Sequence, residues 1–464
     1  MKKLIKSISL LVVAASLLSL VGCSKKEAKV SESSDLLGYA DVELGKTYTD
    51  VTASIKFLTC RTDMCKPDYP GKAYDKYIED FNKMYPNIKV EVVGITDYAS
   101  QTLLYLQGAG DWGDIMMIPQ IDKKELHNYF VSYGKLDVMK EQIRFAEQWM
   151  YDNEVYGIAC DGNAQGVLYN KKVFEKAGIT TLPKTPDEFI DCLKKIKANT
   201  DAIPLYTNYA AGWTMGAWDA YLGGSATGDA DYMNRILPHE KDPFRNRGDN
   251  THAYAVYKVL YDAVANGLIE DDYTTTDWEG CKGMINRGEI GTMVLGSWAF
   301  SQMQGAGPNP QDIGYMSFPI SVNGKQSASA GPDYNYGINK KASIDNQKAA
   351  MVFVKWLTEK SGYAFNEGCI PVAMSDNKFP AAYDSFNKEG VALVVDNAAV
   401  AGEEDLFGNL NSESELNINA GGNLKVQQII EHAANKTKDF DAIMDEWNAA
   451  WATAQNSEGA EIKY

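Results

Sequence analysis

Residues 156–189 read YGIACDGNAQGVLYNKKVFEKAGITTLPKTPDEF, and the pattern of this stretch decides the fold class. Two short apolar runs, at 155–159 and 167–169, are typical of buried strands. Between them lies a turn segment whose side chains include the hydrogen-bonding groups of Asp161 and Asn163. A polar turn between two buried strands in mid-chain predicts a place where the chain crosses from one lobe to another.

The same stretch continues into two helix signals. Gly178 lies where a helix starting at Lys171 needs a residue in the left-handed conformation at its end. Thr185, Pro186 and Glu188 then form a capping box for a second helix, with Thr185 as the N-cap. Strands and helices therefore alternate, which indicates an α/β protein.

The first 23 residues are predicted to be a targeting segment and not part of the fold. Three lysines within the first six residues precede an apolar run at 8–21, which is too short for a membrane span and typical of a signal peptide. The run ends in Leu-Val-Gly-Cys, which resembles a bacterial lipobox with Cys23 as the lipidated residue. The alternative is a secretory signal that happens to end in Cys. Residues 24–45 are polar and charged, and we expect a flexible tether there.

Size and composition limit the remaining body to a few classes of protein. About 420 residues exceed what one hydrophobic core usually serves, so we expect two lobes. The net charge of −17, from 62 acidic and 45 basic residues, argues against a nucleic-acid partner. Of the aromatic residues, 27 are Tyr and 9 are Trp, and rings with a polar group suit amphipathic ligands such as sugars.

The cysteines and histidines give no sign of a metal site or a cofactor. Six cysteines follow Cys23, without a CxxC pair, and the four histidines are far apart in the sequence. A disulfide between Cys60 and Cys65 and small buried thiols are both compatible with the spacing. We therefore expect neither a metal nor a cofactor.

The body begins with a strand–helix–strand unit, which predicts a parallel sheet. An apolar run at 53–58 precedes a helical pattern at 74–84 and an alternating strand at 88–92. Ligands bind outside the carboxyl ends of such strands, and Arg61 and Asp63 follow the first strand directly. The alternative is a solvated loop whose two charges pair with each other.

A glycine pattern at 108–113 matches the dinucleotide fingerprint but occurs in the wrong context. The fingerprint follows a strand and opens a helix, whereas this segment follows a helical run and opens a strand. We interpret it as a helix stop and turn. Asp114 then heads the strand, where it points into a cleft or stabilises the turn.

Three segments place aromatic side chains directly after predicted strands. Trp213 follows a short strand at 202–205, and Trp298 follows a buried strand at 291–295. Tryptophan rings stack on the C–H faces of sugars, although each ring is also compatible with a place in a core. The third segment, Gly-Pro-Asp-Tyr-Asn-Tyr-Gly at 331–337, holds further candidates.

Taken together, the order of these parts resembles a known family. The stretches that carry the resemblance are the lipobox, FNKMYPNIKVEVV, LYLQGAGDWGDIMMIP, GVLYNKKVFEKAGI with PKTPDEF, CKGMINRGEIGTMVLGSWAF, DIGYMSFPI and the segment from NYGINKKA to GCIPV. They are similar to the extracellular solute-binding protein family 1, the maltose-binding-protein-like lipoproteins of carbohydrate ABC importers. One departure is Gly113, where the family usually has Pro.

The resemblance implies a two-lobed periplasmic-binding-protein type II fold, with a multi-strand hinge and a ligand cleft between the lobes. It implies crossovers near 159–163, 318–322 and 357–363. The expected domains are the signal peptide at 1–23, the tether at 24–45, a first lobe from 46–160 and 323–360, and a second lobe from 161–322 and 361–464.

The resemblance also implies that the protein captures a carbohydrate, possesses no catalytic activity and delivers its ligand to ABC permease subunits. We expect a monomer, lipid-anchored to the outer face of the bacterial cytoplasmic membrane. The ligand-binding residues carried over are Arg61, Asp63, Asp114, Asp161, Asn163, Trp213, Trp298, Asp333, Tyr334 and Tyr336.

Two other functions remain open at this point. One is the same fold with a non-sugar solute, for which carboxylate cages rather than stacking rings would be diagnostic. The other is a surface polysaccharide hydrolase, which needs two carboxyl groups about 5–10 Å apart. With 62 acidic residues, such a pair is available in principle.

Overall fold

The computed structural model describes residues 36–464 except Pro70, Asp97, Ala109 and Gly421. The predicted signal peptide, Cys23 and the tether as far as residue 35 lie outside the described residues. Leu37–Tyr464 form one compact unit. Within the described part, no helix combines the length and the apolar character needed to cross a bilayer.

Fourteen strands occur in the described part of the chain. They are β1 (Ala53–Thr59), β2 (Ile88–Gly94), β3 (Ile115–Met117), β4 (Gly134–Lys135), β5 (Met150–Tyr151), β6 (Glu154–Val155), β7 (Ile158–Ala159), β8 (Gly162–Asn170), β9 (Ile203–Leu205), β10 (Ile290–Gly296), β11 (Ile313–Ser317), β12 (Ser327–Pro332), β13 (Asn335–Ile338) and β14 (Ala392–Val395).

Seventeen α-helices accompany them over the same residues, together with short 3-10 turns. They are α1 (Tyr74–Asn82), α2 (Tyr98–Leu106), α3 (Leu126–Tyr129), α4 (Leu136–Gln142), α5 (Lys171–Lys176), α6 (Pro186–Asn199), α7 (Trp213–Gly216), α8 (Gly224–Thr227), α9 (His252–Ala265), α10 (Trp278–Arg287), α11 (Trp298–Gly305), α12 (Ile344–Glu359), α13 (Tyr363–Asn366), α14 (Asp384–Glu389), α15 (Leu406–Glu413), α16 (Asn423–Asn435) and α17 (Phe440–Glu458).

The first lobe is built on a five-stranded sheet in the order β2-β1-β3-β13-β7. β1 runs parallel to both β2 and β3, as the strand–helix–strand pattern predicts. β13 enters from much later in the chain and pairs antiparallel with β3 and β7. Phe57 from β1, Phe81 from α1 and Phe353 from α12 pack together in the core of this lobe.

The second lobe is built around the long strand β8. Its sheet has the order β14-β12-β8-β10-β9, and β11 pairs with another part of β8. β10, β11 and β12 all run antiparallel to β8. Two buried clusters pack against this sheet, one containing Leu193, Tyr257 and Trp447, the other Met293 and Phe300. The two-lobed α/β fold predicted above is therefore confirmed.

The chain changes sheet where the opening stretch predicts a crossover. β7 ends at Ala159 in the first sheet, and β8 begins at Gly162 in the second. Gly162 has little space, since a Cβ there would lie 2.7 Å from Cζ of Phe145. The helix signals that follow are also observed: Thr185 Oγ1 accepts a hydrogen bond from the Glu188 amide, and Gly178 has a φ of +72°.

The second crossover lies later than predicted. Residues 318–322 were expected to leave the second lobe, but β12 still pairs with β8, with Ala330 opposite Ala164. The chain reaches the first sheet only between Pro332 and Asn335. Pairing with β8 on one side and β14 on the other holds residues 327–332 in the second sheet, whereas the predicted bounds placed them in the first lobe.

The third passage of the chain between the two lobes also lies later than the crossover predicted at 357–363. Tyr363 packs in the first core and Ile370 in the second. Ile370 is held by two backbone hydrogen bonds with Gly162, of 2.6 and 2.9 Å. Since Asp333 N also donates to Asp161 O at 3.0 Å, the three passages lie side by side.

The predicted tether ends earlier than residue 45. Tyr39 is fully buried in the first core, and its amide donates to Tyr133 O at 2.8 Å. The Lys355 ammonium lies 3.9 Å from the centre of the Tyr39 ring. Residues from about Tyr39 onwards therefore belong to the first lobe, because Tyr39 and Val42 supply apolar surface that the sequence pattern did not reveal.

Candidate functional site

Polar side chains from both lobes meet beside the three passages. We call this group the crossover cluster: Arg61, Asp63, Asp161, Asn163, Asp333 and Glu367. Five of these six residues are candidates from the sequence, and Glu367 is not. A second group, the tryptophan cluster, consists of Trp213, Trp278 and Trp298.

Arg61 anchors the first-lobe side of the crossover cluster. It follows β1, and its guanidinium donates from Nε to Asp63 Oδ1 at 3.0 Å and from Nη2 to Asp63 Oδ2 at 2.9 Å. Nη2 also lies 2.9 Å from Glu367 Oε2. Arg61 is therefore at the predicted sheet edge, and it also forms the local charge pair with Asp63 that was the alternative interpretation.

Glu367 lies directly after α13 and connects the lobes. Its side chain is only 3% exposed, and Oε2 accepts from both Arg61 and the Tyr69 hydroxyl, at 2.9 and 2.5 Å. Its backbone oxygen accepts from Ser301 Oγ of α11 at 2.9 Å. Oε1 is buried and has no hydrogen-bond partner among the described residues. No motif singles out Glu367, because the two partners of its carboxylate, Arg61 and Tyr69, lie 306 and 298 positions earlier in the sequence.

Asp161 and Asp333 form a pair of carboxyl groups joined by one amide. Asn163 Nδ2 lies 3.4 Å from Asp161 Oδ1 and 3.3 Å from Asp333 Oδ2. Asn163 Oδ1 in turn accepts from Ser297 Oγ at 3.2 Å and from Cys369 Sγ at 3.4 Å. The antiparallel pairing of β8 with β12 produces this arrangement, since it places residue 163 opposite Gly331.

Burial raises the pKa of the Asp161 carboxyl well above its usual range, and the neighbouring charge of Asp333 raises it further. Arg61 acts in the opposite direction but does not cancel these two effects. The Asp161 carboxyl therefore keeps its proton to a higher pH than an exposed aspartate does.

This raised pKa has a consequence for stability. Because the pKa of Asp161 is higher in the folded than in the unfolded chain, its stabilising contribution is present below about pH 4 and is lost as the pH rises towards the folded pKa. We expect Asp161→Asn to gain free energy of unfolding relative to wild type as the pH rises from about 4 to about 7. Urea unfolding at a series of pH values measures this difference.

The matched control is Gln101→Ala, at an exposed position on α2, which changes no titratable group. Its difference from wild type is expected to stay flat over the same pH range. A flat difference for Asp161→Asn as well would contradict the assigned role of Asp161.

The two candidate tyrosines, Tyr334 and Tyr336, lie in different environments. Tyr334 is half-buried beside the crossover cluster and packs edge-to-face on Tyr98, with ring centres 5.6 Å apart. Tyr336, two residues further along, is 1% exposed and packs on Phe57 in the first core. Tyr336 therefore does not present its ring to the crossover cluster.

The tryptophan cluster lies in the second lobe, and each of its members is the first residue of a helix: α7, α10 and α11. The ring centres of Trp213 and Trp278 are 5.0 Å apart, and Trp298 lies 5.7 and 5.8 Å from them. Trp213 is 43% exposed. The arrangement offers ring faces of the kind that stack on sugars. Trp278 was missed because it begins its helix without a strand directly in front of it.

Asp114 lies apart from the other candidates. Its carboxylate accepts from the Lys56 amide and from Asn346 Nδ2, both at 2.8 Å. It lines a surface cavity of about 750 Å³ near the amino ends of β1 and β2, opposite the end at which Arg61 lies. These contacts favour the structural interpretation of Asp114 over the ligand-binding one.

Within the described part of the chain, the cysteines and the side chains that commonly bind metal ions form no further site. Cys60 and Cys65 are both free thiols, so they do not form a disulfide. No group of three or more His, Cys, Asp or Glu side chains there is arranged to hold a metal ion.

Residues 67–364 match the model of the bacterial extracellular solute-binding proteins. This chain belongs to that family. Solved structures agree: a manno-oligosaccharide-specific solute-binding protein from Bifidobacterium animalis subsp. lactis, in complex with mannotriose, is 54% identical with a TM-score of 0.86. The alignment covers 91% of this solute-binding protein and 99% of that chain.

Two further relatives support the assignment of this solute-binding protein. A second ABC-transporter binding protein from the same subspecies, in complex with mannobiose, is 53% identical over 91% of this chain and 99% of that one, with a TM-score of 0.86. The multiple sugar-binding protein of Streptococcus mutans is 27% identical over 296 residues, which are 61% of this chain and 67% of that protein.

Proposed function

We propose that this solute-binding protein captures a manno-oligosaccharide between its two lobes and delivers it to an ABC importer. The observation that carries the proposal is the 54% identity, over nearly the full length, to a protein that binds mannotriose. The non-sugar ligand and the polysaccharide hydrolase are not favoured, because these relatives are binding proteins for sugars.

The two clusters supply the two kinds of contact that a sugar needs. Tryptophan ring faces in the second lobe suit the apolar faces of pyranose rings. The carboxylates and amide of the crossover cluster accept hydrogen bonds from hydroxyl groups. A ligand that touches both lobes favours the closed form through its additional contacts there.

The site residues proposed for this role are Arg61, Asp63, Asp161, Asn163, Trp213, Trp298, Asp333 and Tyr334, to which the geometry adds Trp278 and Glu367. They come from both sides of the three passages. A manno-oligosaccharide spans several rings, so the proposal assigns it to both clusters rather than to one.

The anchoring part of the proposal rests on the sequence. We propose that the Cys23 thiol carries the lipid and that the protein works as a monomer on the outer face of the cytoplasmic membrane, beside its permease. The lipobox-like end of the apolar run motivates this proposal. Mass spectrometry of membrane-extracted protein tests it, since an unmodified Cys23 would exclude it.

Thermal unfolding tests the proposed ligand. A ligand that binds only the folded state stabilises it, by about 2.7 kcal/mol at a concentration of 100 times its Kd. We therefore expect mannotriose to raise the melting temperature of the purified protein in a saturable manner. Mannitol at equal concentration is the control for non-specific effects of polyols. Absence of a shift with mannobiose, mannotriose and longer manno-oligosaccharides would contradict the proposal.

A further inference from the structure

An ion pair joins the two lobes outside the three passages. Lys124 Nζ lies 3.2 Å from Asp405 Oδ2, and the two residues are 281 positions apart in the sequence. Lys124 belongs to a 3-10 turn directly before α3, whose Leu126 is buried in the core of the first lobe. Asp405 directly precedes α15, whose Leu410 is buried in the core of the second lobe. One partner of the pair therefore belongs to each lobe.

Both partners come from the sheet edges that face the opposite lobe. Lys124 follows β3, which runs parallel to β1, so it comes from the same edge of the first sheet as Arg61. Asp405 follows β14, which runs parallel to β12, and β12 ends in the passage to the first lobe. The ion pair therefore spans the space between the lobes, to which the proposed function assigns the sugar.

Each partner is held in place by its own lobe. The Lys124 amide donates to Asp122 Oδ1 at 2.9 Å, and Glu403, two residues before Asp405, lies 2.8 Å from Nε2 of the buried His239. An aspartate in front of a helix commonly accepts hydrogen bonds from the amides of the first turn. The Asp405 carboxylate makes no such bond to α15. It is directed at the ammonium of the other lobe instead.

We propose that Lys124 and Asp405 form a latch that is made when the lobes close and broken when they open. They are positioning residues, which affect ligand capture through the position of the lobes and without contact with the sugar. The inference rests on the proposed function and adds to it a contact that distinguishes the closed form from the open one. A contact present in the closed form alone raises the population of that form.

The latch has a signature that a sugar-binding residue does not share. The apparent Kd equals the intrinsic Kd divided by the fraction of protein in the binding-competent form. A change in that fraction therefore alters the affinity for every ligand by the same factor. A residue that touches one sugar ring instead affects mannobiose and mannotriose unequally.

Neutralising the cation measures the contribution of the latch. The side chains of Lys124 and Asp405 are 58% and 70% exposed, and exposed ion pairs contribute little, so the effect is modest. Calorimetric titration of Lys124→Gln is expected to show about twofold to fivefold weaker binding of mannotriose, and the same factor for mannobiose.

Exchanging the charges tests the pairing itself. Lys124→Glu places two carboxylates opposite each other and is expected to weaken binding about threefold or more. Adding Asp405→Lys re-forms the pair in reverse and is expected to restore the affinity to within about twofold of wild type. The matched control is Lys172→Glu on α5, where Lys172 pairs with Glu175 within the second lobe at 61% and 70% exposure. It is expected to leave both affinities unchanged.

Ionic strength provides a second measure, because the ligand is uncharged. Raising the salt concentration from about 0.01 M to about 1 M shortens the Debye length from about 30 Å to about 3 Å. Salt also screens repulsion within a chain of net charge −17, so wild type is compared with the doubly neutral variant Lys124→Gln/Asp405→Asn. The higher affinity of wild type at low salt is expected to disappear at high salt.

Each outcome decides a different point. Unequal factors for the two sugars, or no recovery in the charge-exchanged variant, overturn the latch while the proposed function stands. Binding of no manno-oligosaccharide overturns the proposed function, and X-ray scattering of the unliganded variants then decides the latch. Lys124→Glu is expected to have a larger radius of gyration than the charge-exchanged variant, and equal values would overturn the latch. If Lys124→Glu does not fold, the equal factors expected for Lys124→Gln remain the deciding test.

Discussion

Trp298→Ala is expected to weaken manno-oligosaccharide binding by about 30-fold or more, while the melting temperature of the unliganded protein changes little. Trp298 begins α11 beside the crossover cluster, next to Ser297, whose hydroxyl donates to Asn163. Its ring touches Trp213 and Trp278 and remains partly exposed, so it is available for stacking. Calorimetric titration with mannotriose gives the change in Kd.

Two further variants separate stacking from packing. Trp298→Tyr retains an aromatic face and is expected to recover part of the affinity. Val138→Ala, at an exposed apolar position on α4, is expected to change neither affinity nor stability. If Trp298→Ala unfolds the protein and the binding per folded molecule is unchanged, the ring fills a core and the stacking role is wrong.

Lys425→Ala is expected to lower the free energy of unfolding by about 3–5 kcal/mol, because it leaves a buried carboxylate without its cation. The Lys425 ammonium lies 2.6 Å from Asp219 Oδ2, and the two side chains are 7% and 0% exposed. Asp219 also accepts from the Tyr257 hydroxyl at 2.6 Å and from the Asn419 amide at 3.1 Å. These two bonds remain in the variant but do not neutralise the charge.

Urea unfolding of Lys425→Ala and of Lys76→Ala provides a matched comparison. Lys76 pairs with Glu79 on the surface of α1, where the side chains are 57% and 62% exposed. Exposed pairs contribute little, so Lys76→Ala is expected to leave the free energy of unfolding nearly unchanged. Equal losses in the two variants would contradict the distinction between the buried and the exposed pair.

Local sequence signals predicted those features whose cause lies within a few residues. The capping box at Thr185 and the placement of Trp298 after a buried strand depend on neighbouring positions. The turn predicted between the strands at 155–159 and 167–169 is wrong for residues 162–166, which belong to β8 because they pair with the distant strands β10, β11 and β12. The chain changes sheet between Ala159 and Gly162, within the stretch in which the local pattern predicts a crossover. The family resemblance added the arrangement of the two lobes, which no local pattern specifies.

Features that depend on pairing between distant segments were missed or misplaced. Tyr336 is in the core because β13 lies between β3 and β7 in the first sheet, and all four residues of this strand are buried there. The partner of the Asp114 carboxylate, Asn346, lies 232 positions later in the sequence. The sequence around Glu367 contains no motif that predicts its role, because that role depends on Arg61 and Ser301, which come from different lobes.

The position of β13 in the first sheet bears on how the protein is made. β13 lies between β3 and β7, although it is translated long after both, so the nascent chain carries a gap in that sheet. The core of the second lobe is completed even later, because Trp447 and Trp451 near the carboxyl terminus are part of it. Neither lobe can complete its core until most of the chain has been synthesised. Under the proposed anchoring outside the cytoplasmic membrane, late completion of both cores would leave the chain unfolded for its passage across that membrane.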